Sequence, residues 1–166
     1  SLGRTWQTAT IQLDFAMPER FELEYTDEKN KKKRPIMLHR TVYGSLERFI
    51  GILLEHTSGN LPTWLAPIQV RVIPVQKQHI EYARKVLQWL IDVGIRADID
   101  ESEHRLPRKI RKAEQEKIPY MIVIGDKEIR EQRISVRKHR VGDLGSFSLK
   151  EFLERILEEI RTRRIE

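Results

Sequence analysis

Residues 68–75, IQVRVIPV, form a β-branched run, and the segments downstream of it decide the fold. Ile80, Ala83, Leu87, Leu90 and Ile91 repeat at helical spacing and stop at Gly94. Ile95 to Ile99 reads as a short strand and residues 108 to 116 as a short helix. Met121-Ile122-Val123-Ile124 reads as a strand covered on both faces and turned by Gly125-Asp126. Strand, helix, strand, helix, strand predicts parallel pairing through right-handed crossovers. Ile134 to Arg137 alternates again. The last helix opens with a capping box, Ser148 to Glu151, and carries Leu149, Phe152, Leu153, Ile156, Leu157 and Ile160 on one stripe. Residues 67–166 are therefore expected to be an α/β domain.

Upstream the pattern differs. In WQTATIQLDF, residues 6–15, Ile11, Leu13 and Phe15 fall on one face of a strand and Thr10, Gln12 and Asp14 on the other. Phe21 to Tyr25 and Pro35 to Arg40, joined by a polar turn, read as an antiparallel hairpin. After Gly44, Leu46, Phe49, Ile50, Leu53 and Leu54 mark an amphipathic helix, with Ser45 as its N-cap and an end near His56. The Pro-punctuated stretch 61–67 holds the expected domain boundary. Some 64 residues with a hairpin and one helix close a core poorly, so this part is expected to complete its sheet with further chain. The opening residues, Ser1 to Trp6, read as the middle of a longer sequence.

The 166 residues are 39% hydrophobic and 34% charged, and no apolar run approaches the roughly 20 residues of a membrane span. No membrane association is expected, and the absence of cysteine suits a reducing compartment and excludes thiol chemistry. The net charge is +6, and residues 65–166 hold 22 of the 31 basic side chains against 17 of the 25 acidic ones. That excess suits a polyanion partner, or else a solvated, charge-rich surface. No P-loop, GxGxxG, HExxH or nucleophile elbow is present.

Residues 34–53, RPIMLHRTVYGSLERFIGIL, pass directly from strand to helix, with Arg48 near the helix start. Read alone, Arg48 can pair with Glu47 or reach solvent, and His39 can be an ordinary strand histidine. The wording HRTVYGSLERFIGIL, however, resembles motif 3 of class II aminoacyl-tRNA synthetases, threonyl-tRNA synthetases in particular. The resemblance implies that Arg48 is catalytic and lies on ATP, which enters with magnesium. It implies that His39 is one of three ligands of a zinc ion that binds the amino group and hydroxyl of threonine. Gln7, Thr10, Gln12 and Ser45 would line the ATP and threonine pocket with Arg48. Residues 1–66 would be the closing portion of the catalytic domain, an antiparallel sheet remnant with the motif 3 helix. Residues 67–166 would be a mixed-sheet anticodon-binding domain, making the chain α/β, or α+β overall.

Within that domain Lys109-Ile110-Arg111, Gly125-Asp126-Lys127-Glu128 and Val136-Arg137 match the family's stretches. The match implies that Glu128 and Arg137 contact anticodon bases, and that Lys109 and Arg111, within the basic clusters 105–112 and 127–140, contact tRNA. Thr8, Ala9 and the acidic Glu101-Ser102-Glu103 loop depart from the family pattern. The implied parent is a cytoplasmic homodimer that activates threonine with ATP and transfers it to threonine tRNA. Motifs 1 and 2 and two further zinc ligands are not recognisable, so the 166-residue chain alone is expected to be inactive. Competing readings are a non-catalytic RNA-binding module of the same ancestry, a prolyl-tRNA synthetase, and a small-molecule α/β sensor. The motif 3 wording disfavours the second, and the missing Gly-rich loop disfavours the third.

Overall fold

The alternation at residues 10–15 builds β1 (Thr10–Asp14), whose partner is β4 (Met37–Thr41), antiparallel, with Gln12 opposite His39 and Leu13 opposite Leu38. Here the computed structural model, which describes residues 3–165, corrects the expected hairpin. Between β1 and β4 lie a one-turn helix, α1 (Ala16–Arg20), and a two-residue ribbon of β2 (Tyr25–Thr26) with β3 (Lys32–Lys33). Asp27 closes the ribbon turn by accepting from the N–H groups of Lys29 and Lys31. The ladder stops short of Pro35, which has no N–H to donate. The helix α1 was not legible because five residues containing Pro18 carry no helical period; Asp14 caps it by accepting from Ala16 and Met17.

The helix α2 (Leu46–His56) forms as expected, with Ser45 accepting from the Arg48 N–H. Its aromatic neighbours Tyr43 and Phe49 stack with centroids 4.4 Å apart. Burial in this unit is slight. Ile11, Leu13, Leu38 and Leu46 are all more than 60% exposed, and Pro18 is the single buried residue among those described before Gly59. The half-buried strand expected at β1 thus has its apolar face open, because two strands and two helices supply no layer to cover it.

The second unit begins at Asn60: the chain divides into compact units of residues 1–59 and 60–166, earlier than the 66/67 boundary expected. Thr63 and Ala66, placed with the first part by sequence, are buried in the second unit, and Gln69 donates to the Thr63 carbonyl. Every residue of β5 (Val70–Pro74) is buried, and β5 lies between β6 (Ala97–Ile99) and β7 (Tyr120–Ile124), parallel to both. Crossovers run through α3 (Ile80–Asp92) and α4 (Leu106–Gln115). Beyond β7 the chain continues through α5 (Asp126–Glu131), β8 (Ile134–Lys138), β9 (Gly142–Phe147) and α6 (Leu149–Arg161), giving a mixed five-stranded sheet of order β6-β5-β7-β8-β9. This is the α/β domain expected.

Strand alternation sorts the two cores. Val70, Val72, Tyr120, Ile122, Ile134 and Val136 face α3 and α6. Ile73 and Met121 face Ala113 of α4 and Ile118. Two elements were not legible. In α5, the Glu128 carboxylate accepts from the Gly125 N–H, turning an expected turn into a capped helix. In β9, Gly142 and Gly145 have positive φ and a bulge lies at Val136/Arg137, so no alternation marks the strand. Among the described residues no helix is long and apolar enough to cross a membrane.

Candidate functional site

In the first unit the polar faces of β1 and β4 coincide. Thr10 and Thr41 share a hydroxyl–hydroxyl bond of 2.8 Å, and His39 Nε2 lies 3.0 Å from Asp14 Oδ2. Gln12, Asp14, His39 and Thr41 line an open depression. The Asp14 carboxyl is held below its ordinary range, chiefly by the Met17 N–H and then by His39. Asp14 and Thr41 were not singled out by sequence. The signal lies in register: Asp14 shares the polar face of Thr10 and Gln12, and Thr41 stands opposite Thr10.

A second constellation surrounds Arg48. Its guanidinium donates to the Gln7 carbonyl at 3.0 Å. A Cβ at Gly44, whose φ is +67°, would stand 2.8 Å from that guanidinium, so the glycine both makes the turn and clears the arginine's path. Ser45 is engaged locally, as N-cap and as donor to Glu47 at 2.7 Å. Gln7, Ser45 and Arg48 are thus brought together, as are Thr10, Gln12 and His39.

The residues present do not make a zinc site by themselves. Zinc is held by at least three protein ligands, whereas His39 has one carboxylate beside it. Among the described residues no group of three His, Cys, Asp or Glu could hold a metal.

The second unit separates residues that the sequence grouped. Lys109 is 4% exposed, and its ammonium donates to the carbonyls of Pro74 at 2.9 Å and Asp100 at 3.0 Å. The expected tRNA contact at Lys109 is therefore corrected, because a cation sealed beneath α4 presents no charge to a phosphate. Arg111, two positions on, points outward with Arg105, Arg108 and Lys112, and none of these four has an ion pair or side-chain hydrogen bond among the described residues. Downstream three of the cations are tied: Arg133 to Ser146 and Glu151, Arg137 to Asp143 at 3.7 Å, Lys138 to Glu159 at 3.8 Å. Arg137 lies half-buried opposite Met121, with its Nε lacking a partner, while one Glu128 oxygen caps α5. The acidic loop is neutralised by two pairs, Arg84–Glu101 and Lys77–Glu103.

Residues 69–159 match the anticodon binding domain, and residues 1–57 match the tRNA synthetase class II core domain for G, H, P, S and T. The chain belongs to the anticodon-binding-domain family. Its relatives are threonine–tRNA ligases: it is 56% identical over 163 residues to that of Caldanaerobacter subterraneus subsp. tengcongensis, covering 98% of this chain and 25% of the ligase. It is 52% identical to the threonine–tRNA ligase of Carboxydothermus hydrogenoformans over 98% of this chain and 26% of the ligase. The RNA binding domain of threonyl-tRNA synthetase from Cryptosporidium parvum superposes with a TM-score of 0.84 at 34% identity, over 96% of this chain and 40% of that one. The chain spans about a quarter of the length of the curated relatives it matches.

Proposed function

We propose that this chain is a working segment of a threonine–tRNA ligase, which activates threonine with ATP and magnesium and transfers it to threonine tRNA. The observation that carries the reading is the match of both units, in one order, to such ligases over 98% of the chain. In this reading the class II portion is the first unit, ending near residue 59, and the anticodon-binding portion follows. Arg48 lies on the ATP phosphates, where a guanidinium stabilises charge that develops as pyrophosphate leaves. Gln7, Thr10 and Gln12 shape the threonine side of the pocket, with Ser45 holding the helix that carries Arg48. His39 orients against Asp14 on the same polar face, and any zinc would require ligands from further chain. The parent enzyme is a cytoplasmic homodimer whose remaining chain covers the open apolar face of β1 and β4.

Two outcomes test this. The 166-residue chain should show no threonine-dependent exchange of pyrophosphate into ATP, because one arginine and an uncovered two-stranded sheet do not enclose a reaction. Turnover by this chain would overturn that part. Fluorescence titration should find that it binds a threonine-tRNA transcript more tightly than a copy with a scrambled anticodon, with affinity falling as salt rises. Equal binding of both would remove the base-reading roles of Glu128 and Arg137.

A second reading, a non-catalytic RNA-binding module, is favoured by the slight burial of the first unit, where Pro18 is the single buried residue among those described. The complete enzyme decides between them. There Arg48→Ala should lower kcat/KM for ATP by about two orders of magnitude if the arginine meets developing charge, whereas a full-length protein without threonine-dependent pyrophosphate exchange would establish the module.

A further inference from the structure

We infer that Lys109 is a positioning residue for anticodon reading, tying the ends of two strands together instead of touching RNA; the inference rests on the tRNA reading above. Lys109 lies on the inner side of α4 with Ala113, both of them buried. Its two acceptors are the carbonyl of Pro74, the last residue of β5, and that of Asp100, the residue after β6. The ladder between these parallel strands pairs residues 70–72 with 97–99, and the Asp100 N–H still donates to Val72. Past this point the chain segments 75–80 and 101–105 separate and wall a cleft of about 280 Å³, with Gln76, Lys77, Ser102 and His104 on its lining and Lys109 at its base.

Filling the core does not require an ammonium here. Elsewhere α4 meets the sheet through Ile110 and Ala113, which are apolar. A desolvated lysine is tolerated because the carbonyls at the strand ends have lost their ladder partners and accept from it, and because the buried Asp100 carboxylate beside it supplies opposite charge. An apolar side chain would leave both carbonyls buried and unmet. The other ties on these loops, Lys77–Glu103 and Arg84–Glu101, join exposed side chains and weaken as salt screens them. Lys109 is sealed from salt. It fixes the root of the 75–80 loop under the same conditions in which phosphate contacts weaken, and Gln78 and His79 of that loop reach Asp126, at 2.9 and 3.0 Å, at the start of the α5 helix that carries Glu128.

The test uses the 166-residue chain with Lys109→Met or Lys109→Arg, titrated with the threonine-tRNA transcript and its scrambled-anticodon copy at several salt concentrations. Backbone hydrogen exchange is measured on the same proteins without RNA. With methionine, the affinity ratio between transcripts should fall at least about tenfold, while the slope of log affinity against log salt stays unchanged, no phosphate contact having been lost. Amides of 75–80 and 100–105 should exchange at least about tenfold faster, with those of β7 and α6 unaffected. Arginine, which keeps the charge and the donors, should recover part of the ratio. A slope reduced by about 0.7 to 0.9 would overturn the inference, since Lys109 would then be touching a phosphate. It is overturned equally by an unchanged ratio with unchanged loop exchange, or by faster exchange throughout the unit in both variants. If the unaltered chain fails to distinguish the transcripts, the tRNA reading fails, and loop exchange still decides whether Lys109 sets the loops.

Discussion

Replacing Arg108 and Arg111 together with glutamate is expected to weaken tRNA binding about a hundredfold at roughly 0.1 M salt. The two stand three positions apart on α4 and therefore share its outer face. Neither has a carboxylate partner among the described residues, nor do the flanking Arg105 and Lys112. This is where α4 differs from residues 133–138 of the second basic cluster. Arg133, Arg137 and Lys138 each face a carboxylate of the same unit, so binding a phosphate there must first break an internal ion pair. Each unpaired cation on a phosphate contributes about 0.7 to 0.9 to the salt slope, so the double variant should lower that slope by about 1.5. Reversal adds repulsion on top of the lost contacts. Discrimination between anticodons should survive, because phosphate contacts position a protein on its nucleic acid and carry no sequence information. Equilibrium titration at three or more salt concentrations checks this. An unchanged slope, with affinity falling only in variants of Arg133 and Lys138, would move the phosphate track to β8.

The same helix shows where sequence reading stops. In Lys109-Ile110-Arg111 the two cations are separated by one residue, and composition treats them alike. A helix rotates about 100° per residue, so positions two apart point to nearly opposite sides. Only the packing of α4 on Ile73 and Met121 decides which lysine or arginine goes inside. The parallel core was legible because it rests on a β-branched run at 68–75 and an apolar one at 121–124, which water excludes wherever they are placed. The strand β9 was not, since its glycines serve a bulged edge and leave no alternation. In the first unit, the motif residues were legible as a set, but their partners were not. That His39 meets Asp14 depends on β1 pairing with β4, a register the expected hairpin did not supply. The apolar face of β1 was read correctly in period and wrongly in burial, because alternation reports which residues share a face and is silent on whether anything covers it.

Arg71→Met should destabilise the second unit by about 3 kcal/mol and lower its Tm by roughly 15 °C. Arg71 lies in the middle of the fully buried β5, in the run the sequence presented as a plain hydrophobic strand. Its guanidinium forks onto Asp98, which stands directly opposite on β6, and also reaches Glu116 at the C-terminal end of α4. One side chain thus joins two strands and the helix that carries the basic track. The hydrogen bond to Asp98 is the largest influence on the guanidinium and raises its pKa against the opposing effect of burial. Methionine preserves much of the volume but leaves two carboxylates facing one another without a counter-charge. Because Asp98 and Glu116 retain partial solvent access, 32% and 43% of their side-chain surface, the loss falls at the lower end of the range for broken buried pairs. Removing both carboxylates as well, as Arg71→Met with Asp98→Leu and Glu116→Gln, should return most of the stability, because no unpaired charge then remains. Urea unfolding followed by circular dichroism checks both steps. A loss below about 1 kcal/mol for the single variant would put the triad in the class of surface pairs. The position of α4, and with it the phosphate track, would then rest on apolar packing alone.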